Sequence, residues 1–130
     1  MNKQERKKLI NREQLAVFEL LKTFYGKENG ISAKSATEYC YGRHTGKLQR
    51  WLRHICSAIN SNPEIDGLIS TSKKIYVCKT KDECDKAIRT TYRTAFSYLK
   101  KARLMEKKFG RQGQIEFDDN GKKVKIIYED

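Results

Sequence analysis

The chain contains 130 residues, 38% of them hydrophobic and 34% charged, with one proline and eight glycines. This length predicts one domain of ordinary size with a single modest core, and the composition excludes a disordered low-complexity protein. No apolar run approaches the roughly 20 residues that span a bilayer, and the charged N-terminus is not followed by the apolar core of a signal peptide. We therefore expect a soluble, cytoplasmic protein that does not enter a membrane.

The formal net charge of +12 is unevenly distributed along the chain. Residues 114–130 contain three basic and five acidic side chains, which leaves 25 basic and 11 acidic side chains in residues 1–113. Such an excess of positive charge raises the affinity for phosphates, because counterions are released on binding. The clustering predicts a nucleic-acid partner. The alternative is a basic surface that is simply solvated.

The reactive residue types form no catalytic or metal-binding pattern. The four cysteines, Cys40, Cys56, Cys78 and Cys84, include no C-x-x-C pair, so we expect free thiols in a reducing compartment rather than a zinc site. There is no glycine-rich phosphate loop and no recognisable pairing of a nucleophile with a base. We therefore predict that the protein is not an enzyme and needs no metal or cofactor.

The first predicted elements are a tail and a helix. Residues 1–10 are expected to form a basic N-terminal tail, with an arm lying along a DNA backbone as the alternative. Asn11 and Gln14 then indicate a polar cap at the start of an amphipathic helix. This helix is predicted to run to about Tyr25 and to end at Gly26.

Two further helices are predicted around a short turn. Ser32 is a suitable N-cap for a helix over residues 33–41, Gly42 ends that helix, and Thr45 or Gly46 begins the next. Two helices joined by a short turn that contains glycine are typical of the helix-turn-helix arrangement.

The third helix has one apolar side and one basic side. Its periodicity places one group of side chains towards a core: Leu48, Leu52, Ile55, Cys56 and Ile59, with Trp51 at the margin. The opposite side presents Lys47, Arg50, Arg53, His54 and Ser57. From Arg43 to Ser61 there is no carboxylate to neutralise these groups. The pattern predicts a recognition helix for nucleic acid, with Arg50 as the first candidate for a base contact and Arg43 at its entrance.

Phosphate contacts are predicted beside this helix. Leu68–Ser70 and Lys74–Cys78 are short β-prone runs that should form a hairpin, whose tip carries Lys73 and Lys74. The alternative for this tip is an ordinary solvated turn. A second phosphate contact is expected at the N-terminus of the second helix, where the candidate residues are Ser32, Lys34 and Ser35.

The remainder of the chain predicts one long helix and one more hairpin. Thr80 and Glu83 form a capping-box pattern, and a helix of about 40 Å should follow from Lys81 to Lys108. Because its apolar stripe extends beyond a domain of this size, we expect a second subunit to cover it. Residues 114–117 and 123–128 alternate around an Asn-Gly turn, which predicts a C-terminal hairpin.

This order of elements resembles a known family. The residues concerned are Leu48, Leu52, Ile55 and Ile59, then Ile69–Ser70 and Tyr76, then Thr80 with Glu83. Over about residues 12–105 the chain resembles the short winged-helix proteins common in phage and prophage genomes. The resemblance implies an α+β, mainly α fold, in which a winged helix-turn-helix domain over residues 11–80 is followed by the long helix at 81–109 and the terminal β-hairpin at 110–130.

The expected function is the binding of double-stranded DNA, in a regulatory or replication-associated role. The resemblance assigns the contacts to Lys47, Arg50, Arg53 and His54 on the third helix and to Lys73 and Lys74 on the wing. A homodimer through the long helix and the C-terminal hairpin is expected. The alternative is a protein-interaction module on the same scaffold that binds a host protein, either a replication factor or a defence nuclease.

Overall fold

A computed structural model describes residues 2–117 and 124–128. The chain is mainly helical, with two small antiparallel sheets, and it divides into two compact units, residues 1–90 and 91–130. The elements are α1 (Lys3–Leu21), a short 3-10 turn (Lys27–Asn29), α2 (Ala33–Tyr41), α3 (Gly46–Ser61), β1 (Ile69–Ser70), β2 (Tyr76–Val77), α4 (Lys81–Phe109), β3 (Gly113–Phe117) and β4 (Val124–Tyr128).

The first helix begins earlier than the sequence suggested. The expected tail over residues 1–10 is wrong from Lys3 onwards, because Asn2 and Glu5 form a capping box: the Glu5 N–H donates to Asn2 Oδ1 at 2.9 Å and the Asn2 N–H donates to Glu5 Oε2 at 3.2 Å. Gln14, expected near a helix start, is buried inside α1 and accepts a hydrogen bond from Asn62 Nδ2 at 2.9 Å.

The same helix also ends earlier, at Leu21 instead of about Tyr25. The next residues leave the helix because their backbone pairs with β2. The Val77 N–H donates to the Phe24 carbonyl at 2.8 Å, and the Gly26 N–H donates to the Val77 carbonyl at 2.9 Å. A further bridge joins Ile31 to Ile75. The segment between α1 and α2 therefore adds backbone pairs to the small β1–β2 sheet.

The second and third helices match the prediction closely. The Ser32 hydroxyl caps α2 by accepting from the Ser35 N–H at 3.1 Å, and the Thr45 hydroxyl caps α3 by accepting from the Leu48 N–H at 3.0 Å. Between them Gly42 adopts a left-handed conformation with φ of 78°, which a residue with a side chain rarely takes up. Four residues, 42–45, thus connect α2 to α3.

The core of the first unit lies where α1, α2 and α3 meet the β1–β2 sheet. Its buried members are Val17, Phe18 and Leu21 from α1, Ala36 from α2, Leu52, Ile55, Cys56 and Ile59 from α3, and Ile65, Ile69, Ile75 and Val77 from the segment that follows. Four of these twelve side chains come from α3. This helix is therefore the element that the core holds most directly.

The predicted hairpin after α3 is present but short. Ile69 pairs with Val77 and Ser70 with Tyr76, in antiparallel register. The side chain of Asn60, at the end of α3, joins the helix to this sheet. Its Nδ2 donates to the Ile69 carbonyl at 2.9 Å, and its Oδ1 accepts from the Ile69 N–H at 2.7 Å.

The long helix α4 follows its predicted capping pattern. The Thr80 hydroxyl accepts from the Glu83 N–H at 3.2 Å, and the Glu83 carboxylate accepts from the Lys79 N–H at 2.9 Å. The latter bond is the main reason that the pKa of Glu83 is lowered from its ordinary value. The helix has 29 residues, none of which is fully buried.

In the second unit a hairpin forms where the sequence predicted one. Ile115 pairs with Ile126 and Glu116 with Lys125 in an antiparallel register. Its turn at residues 118–121 and Lys123 lie outside the described residues. The Glu106 carboxylate accepts hydrogen bonds from Arg103 Nη1 and from the Gly113 N–H. A Cβ atom at Gly113 would lie 2.8 Å from Glu106, Ile126 and Tyr128, so only glycine fits this close approach.

The described helices include none that is both long and apolar enough to cross a membrane.

We predict that Asn60→Ala destabilises the first unit. The substitution removes both partners of the Ile69 backbone, whose polar groups lie in a buried strand, so the expected loss in the free energy of unfolding is about 1–3 kcal/mol. Urea denaturation followed by circular dichroism measures this change. Ser61→Ala is the control, because it removes an exposed hydroxyl whose hydrogen bond, to the Ser57 carbonyl, stays within α3. Equal stability of the two variants would contradict the structural role of Asn60.

Candidate nucleic-acid interface

The exposed side of α3 presents all five side chains that the sequence placed there. Lys47, Arg50, Arg53, His54 and Ser57 are exposed, whereas Leu52, Ile55, Cys56 and Ile59 are buried on the opposite side. The core therefore fixes the rotation of the helix about its own axis. We call the five exposed residues the α3 basic face.

No carboxylate neutralises the α3 basic face from within its own segment. Residues 39–63 contain no Asp or Glu. Over the described part of the chain, the ion pairs are Glu19 with Lys22 and Arg103 with Glu106, so Lys47, Arg50 and Arg53 form none. Their charges are available to an external anion.

The Arg50 side chain lies over the first turn of α3. A Cβ atom at Gly46 would be only 3.5 Å from Arg50 Nη1, so the guanidinium group extends back towards the helix N-terminus. The N-terminus is the positive end of the helix dipole, and in α3 it is capped by Thr45.

A carboxylate on α1 positions α3, and the sequence analysis missed it. Glu13 Oε1 accepts from Trp51 Nε1 at 2.6 Å and from the Tyr41 hydroxyl at 3.0 Å, so one oxygen connects α1 to both α2 and α3. Burial, together with the bond to Glu13, raises the pKa of Tyr41 well above its ordinary value. An acidic residue four positions before the buried Val17, on the apolar side of α1, was the signal that could have found it.

Trp51 also contacts the α3 basic face itself. Its ring lies 5.4 Å from the His54 ring, measured between centroids, with an interplanar angle of 33°. Trp51 retains 40% of its exposure, as expected for a residue at the margin of the apolar side. In the preceding turn, His44 Nε2 lies 2.7 Å from Gln49 Oε1, which fixes the chain close to the exposed Arg43.

The residues predicted to contact phosphates lie in two places, the N-terminus of α2 and the turn between β1 and β2. Ser32, Lys34 and Ser35 are exposed in its first turn, but the Ser32 hydroxyl is engaged with Ser35, donating to its Oγ at 3.0 Å. Lys73 and Lys74 are exposed on the turn between β1 and β2.

The turn between β1 and β2 lies beside the segment that leads into α2. A Cβ atom at Gly30 would be 3.0 Å from Lys74 Cβ, and Ile31 pairs with Ile75. The backbone pairing therefore brings Lys74 close to the entrance of α2. No contact joins Lys73 or Lys74 to the α3 basic face among the hydrogen bonds and ion pairs of the described residues.

The four cysteines are free, and burial affects the pKa of two that lie near α3. Burial raises the pKa of the Cys56 thiol to about 12 and that of Cys40 to about 11. At neutral pH the buried Cys56 and the half-buried Cys40 are thiols rather than thiolates, and a thiol is a poor nucleophile and metal ligand. Within residues 2–117 and 124–128, no three His, Cys, Asp or Glu side chains gather into a cluster suited to a metal ion.

Comparison with known proteins identifies no relative. The sequence matches no protein-family model, and comparison with curated proteins and with solved structures returns no significant match.

We predict that Glu13→Ala loosens the attachment of α3. It leaves Trp51 Nε1 and the half-buried Tyr41 hydroxyl without their acceptor, so the free energy of unfolding should fall by about 1–3 kcal/mol. Because Trp51 is the single tryptophan, its emission spectrum should change as well. Glu19→Ala, which removes only an exposed ion pair, should cost about 0–1 kcal/mol and leave the emission unchanged. Identical behaviour of the two variants would exclude a positioning role for Glu13.

Proposed function

We propose that this protein binds double-stranded DNA through the α3 basic face. The observation that supports this proposal is an exposed helical face with two arginines and a lysine, none of them ion-paired within the described residues, on a helix whose other side is anchored in the core. The major groove of B-DNA, about 12 Å wide, admits an α-helix. A helix fixed in this way can enter the groove without having to be ordered on binding.

Arg50 is our first candidate for reading a base. Its guanidinium group lies at the N-terminal end of α3, and the N-terminal residues of recognition helices are the ones that contact base edges. A guanidinium group can donate two parallel hydrogen bonds to guanine O6 and N7. In this arrangement Arg53, His54 and Ser57 lie further along the groove, and Lys47 lies next to the phosphates.

We further propose that the first unit is a winged helix-turn-helix domain. Its element order, the four-residue turn between α2 and α3, and the backbone pairing of residues 24–31 with β2 support this assignment. In such a domain the wing turn and the start of α2 contact the phosphate backbone and fix the register. Here these positions hold Lys73, Lys74 and Lys34, with Ser32 and Ser35 at the cap. Arg43 stands in the turn itself.

We propose that the protein acts in the cytoplasm. Its proposed role is regulatory or replication-associated, of the kind found among phage and prophage winged-helix proteins. We propose no enzymatic activity and no cofactor. The second unit would provide a homodimer contact. It leaves apolar side chains exposed on α4 and on the hairpin, of which Phe109 is 77% and Ile126 is 55% exposed. Association with a second copy would remove this surface from water.

We predict that Arg50→Ala combined with Arg53→Ala weakens binding to a selected duplex by about tenfold or more, because a well-placed arginine contributes strongly to base discrimination. Both side chains are exposed and form no ion pair with any residue that the structure describes, so the melting temperature should stay unchanged. Fluorescence anisotropy at physiological salt measures the affinity.

The control for this double variant is Arg6→Ala combined with Arg12→Ala. It removes the same charge from exposed positions of α1 and should have a much smaller effect. Equal effects of the two double variants would show that only net charge matters and would contradict a specific role for α3. If no duplex is bound at all, and a protein from nuclease-treated host lysate is retained instead, the protein-interaction alternative replaces the proposal.

We predict that the protein has twice the 15.2 kDa chain mass by light scattering, and that Phe109→Ser returns it to a monomer, because a polar side chain weakens an apolar contact. Leu104→Ser is the control: Leu104 is 58% exposed and lies roughly 140° around α4 from Phe109, so this variant should remain dimeric. A monomeric parent protein, or equal effects of both substitutions, would contradict a dimer through this surface.

A further inference from the structure

A second cationic surface lies on α4 within residues 91–105. The longer stretch from residue 86 to residue 105 contains no Asp or Glu, and its part in the second unit carries Arg93, Lys100, Lys101 and Arg103. Arg103 is engaged with Glu106 and the Gly113 carbonyl. Arg93 and Lys100 are exposed and form no ion pair over the described part of the chain.

Two aromatic rings are exposed on the same side of the helix. Tyr92 is 61% exposed and Phe96 is 62% exposed. Their ring centroids are 6.1 Å apart and the ring planes differ by 23°, so the rings form a nearly parallel pair. Solvent-exposed aromatic rings of this size are unfavourable in water unless a partner covers them.

The rings and the cations share one face. At 100° per residue, Tyr92, Arg93, Phe96 and Lys100 fall within an arc of roughly 100° of α4. We call these four residues the α4 aromatic-cationic face. Leu99 lies beside Tyr92, about 20° around the axis, whereas the exposed Phe109 lies about 100° from Tyr92 on the side away from Arg93 and Lys100.

We propose that the α4 aromatic-cationic face binds single-stranded nucleic acid. Exposed bases stack on aromatic side chains, and cations beside the rings attract the phosphates of the same strand. Tyr92 and Phe96 supply the stacking surface, while Arg93 and Lys100 supply the positive charge. The site is separate from the duplex contact proposed for α3 and does not depend on it.

The chemistry of this face distinguishes between possible partners. A duplex keeps its base faces inside the stack and offers none to an aromatic ring. A second copy of the chain, placed symmetrically on this face, would bring Arg93 and Lys100 close to the same two cations of the other copy, where like charges repel. A single strand of nucleic acid offers bases that stack on the rings and phosphates that the cations attract.

The test measures the binding of fluorescent oligothymidylate and oligouridylate, of about 20 nucleotides each, to the full-length protein. Tyr92→Ala combined with Phe96→Ala keeps every charge, so any loss reports on stacking. We expect the affinity to fall about tenfold or more on at least one of the two oligonucleotides. Lower affinity for both oligonucleotides would show that the face binds single-stranded DNA and RNA alike. Lower affinity for only one of them would show which of the two it binds.

Tyr98→Ala is the matched control. Tyr98 is 69% exposed on the same helix, roughly 140° around the axis from the centre of the Tyr92–Phe96 pair, and its loss should leave single-strand affinity unchanged. The Arg50→Ala, Arg53→Ala variant should also retain single-strand binding. This expectation separates the present inference from the proposed duplex contact, because either site can fail while the other holds.

Three results would overturn the inference. The first is unchanged single-strand affinity of the Tyr92→Ala, Phe96→Ala variant, measured at equal melting temperature. The second is an equal loss in Tyr98→Ala. The third is a change in molecular mass by light scattering for the double variant alone, which would show that the two rings contact a second copy of the chain.

Discussion

The burial of one side of α3 is the constraint on which the rest of the first unit depends. Leu52, Ile55 and Ile59 contact a core that α1, α2 and the β1–β2 sheet complete, and this packing decides which side chains of α3 face outwards. Glu13 also helps to orient α3, because one of its carboxylate oxygens accepts hydrogen bonds from both Tyr41 and Trp51. The cationic side is thus fixed by the apolar one.

The carboxylates are distributed along the chain in a way that leaves both cationic faces without acidic residues in their own segments. Carboxylates are absent from residues 39–63 and from residues 86–105, the two stretches that carry the α3 basic face and the α4 aromatic-cationic face. They are concentrated instead at helix starts, as with Glu83, and in residues 114–130. Both faces expose cations, but only the α4 face pairs them with two parallel rings. We therefore propose different ligands for the two faces, a duplex for one and a single strand for the other.

Periodicity and capping predicted most of the fold, because both depend on neighbouring residues. Ser32, Thr45 and Thr80 each cap the helix that follows, and α3 buries the side predicted from its spacing. The C-terminal end of α1 was predicted wrongly for a different reason. Phe24 and Gly26 leave the helix to pair with Val77, more than 50 residues away, and no local pattern reveals such a partner.

In the candidate site, too, the features set by neighbouring residues could be predicted and those set by distant contacts could not. The exposed cations of α3 follow from its amphipathic pattern, whereas Glu13, and the approach of Lys74 to Gly30, depend on tertiary contacts.

The measurement that tests the central claim most directly is a ¹H–¹⁵N NMR titration of the full-length protein with a selected duplex at physiological salt. The account predicts that the largest shifts occur at the amides of residues 46–57 and at the Nε–H signals of Arg50 and Arg53. Shifts confined to other elements, with those signals unmoved, would contradict it.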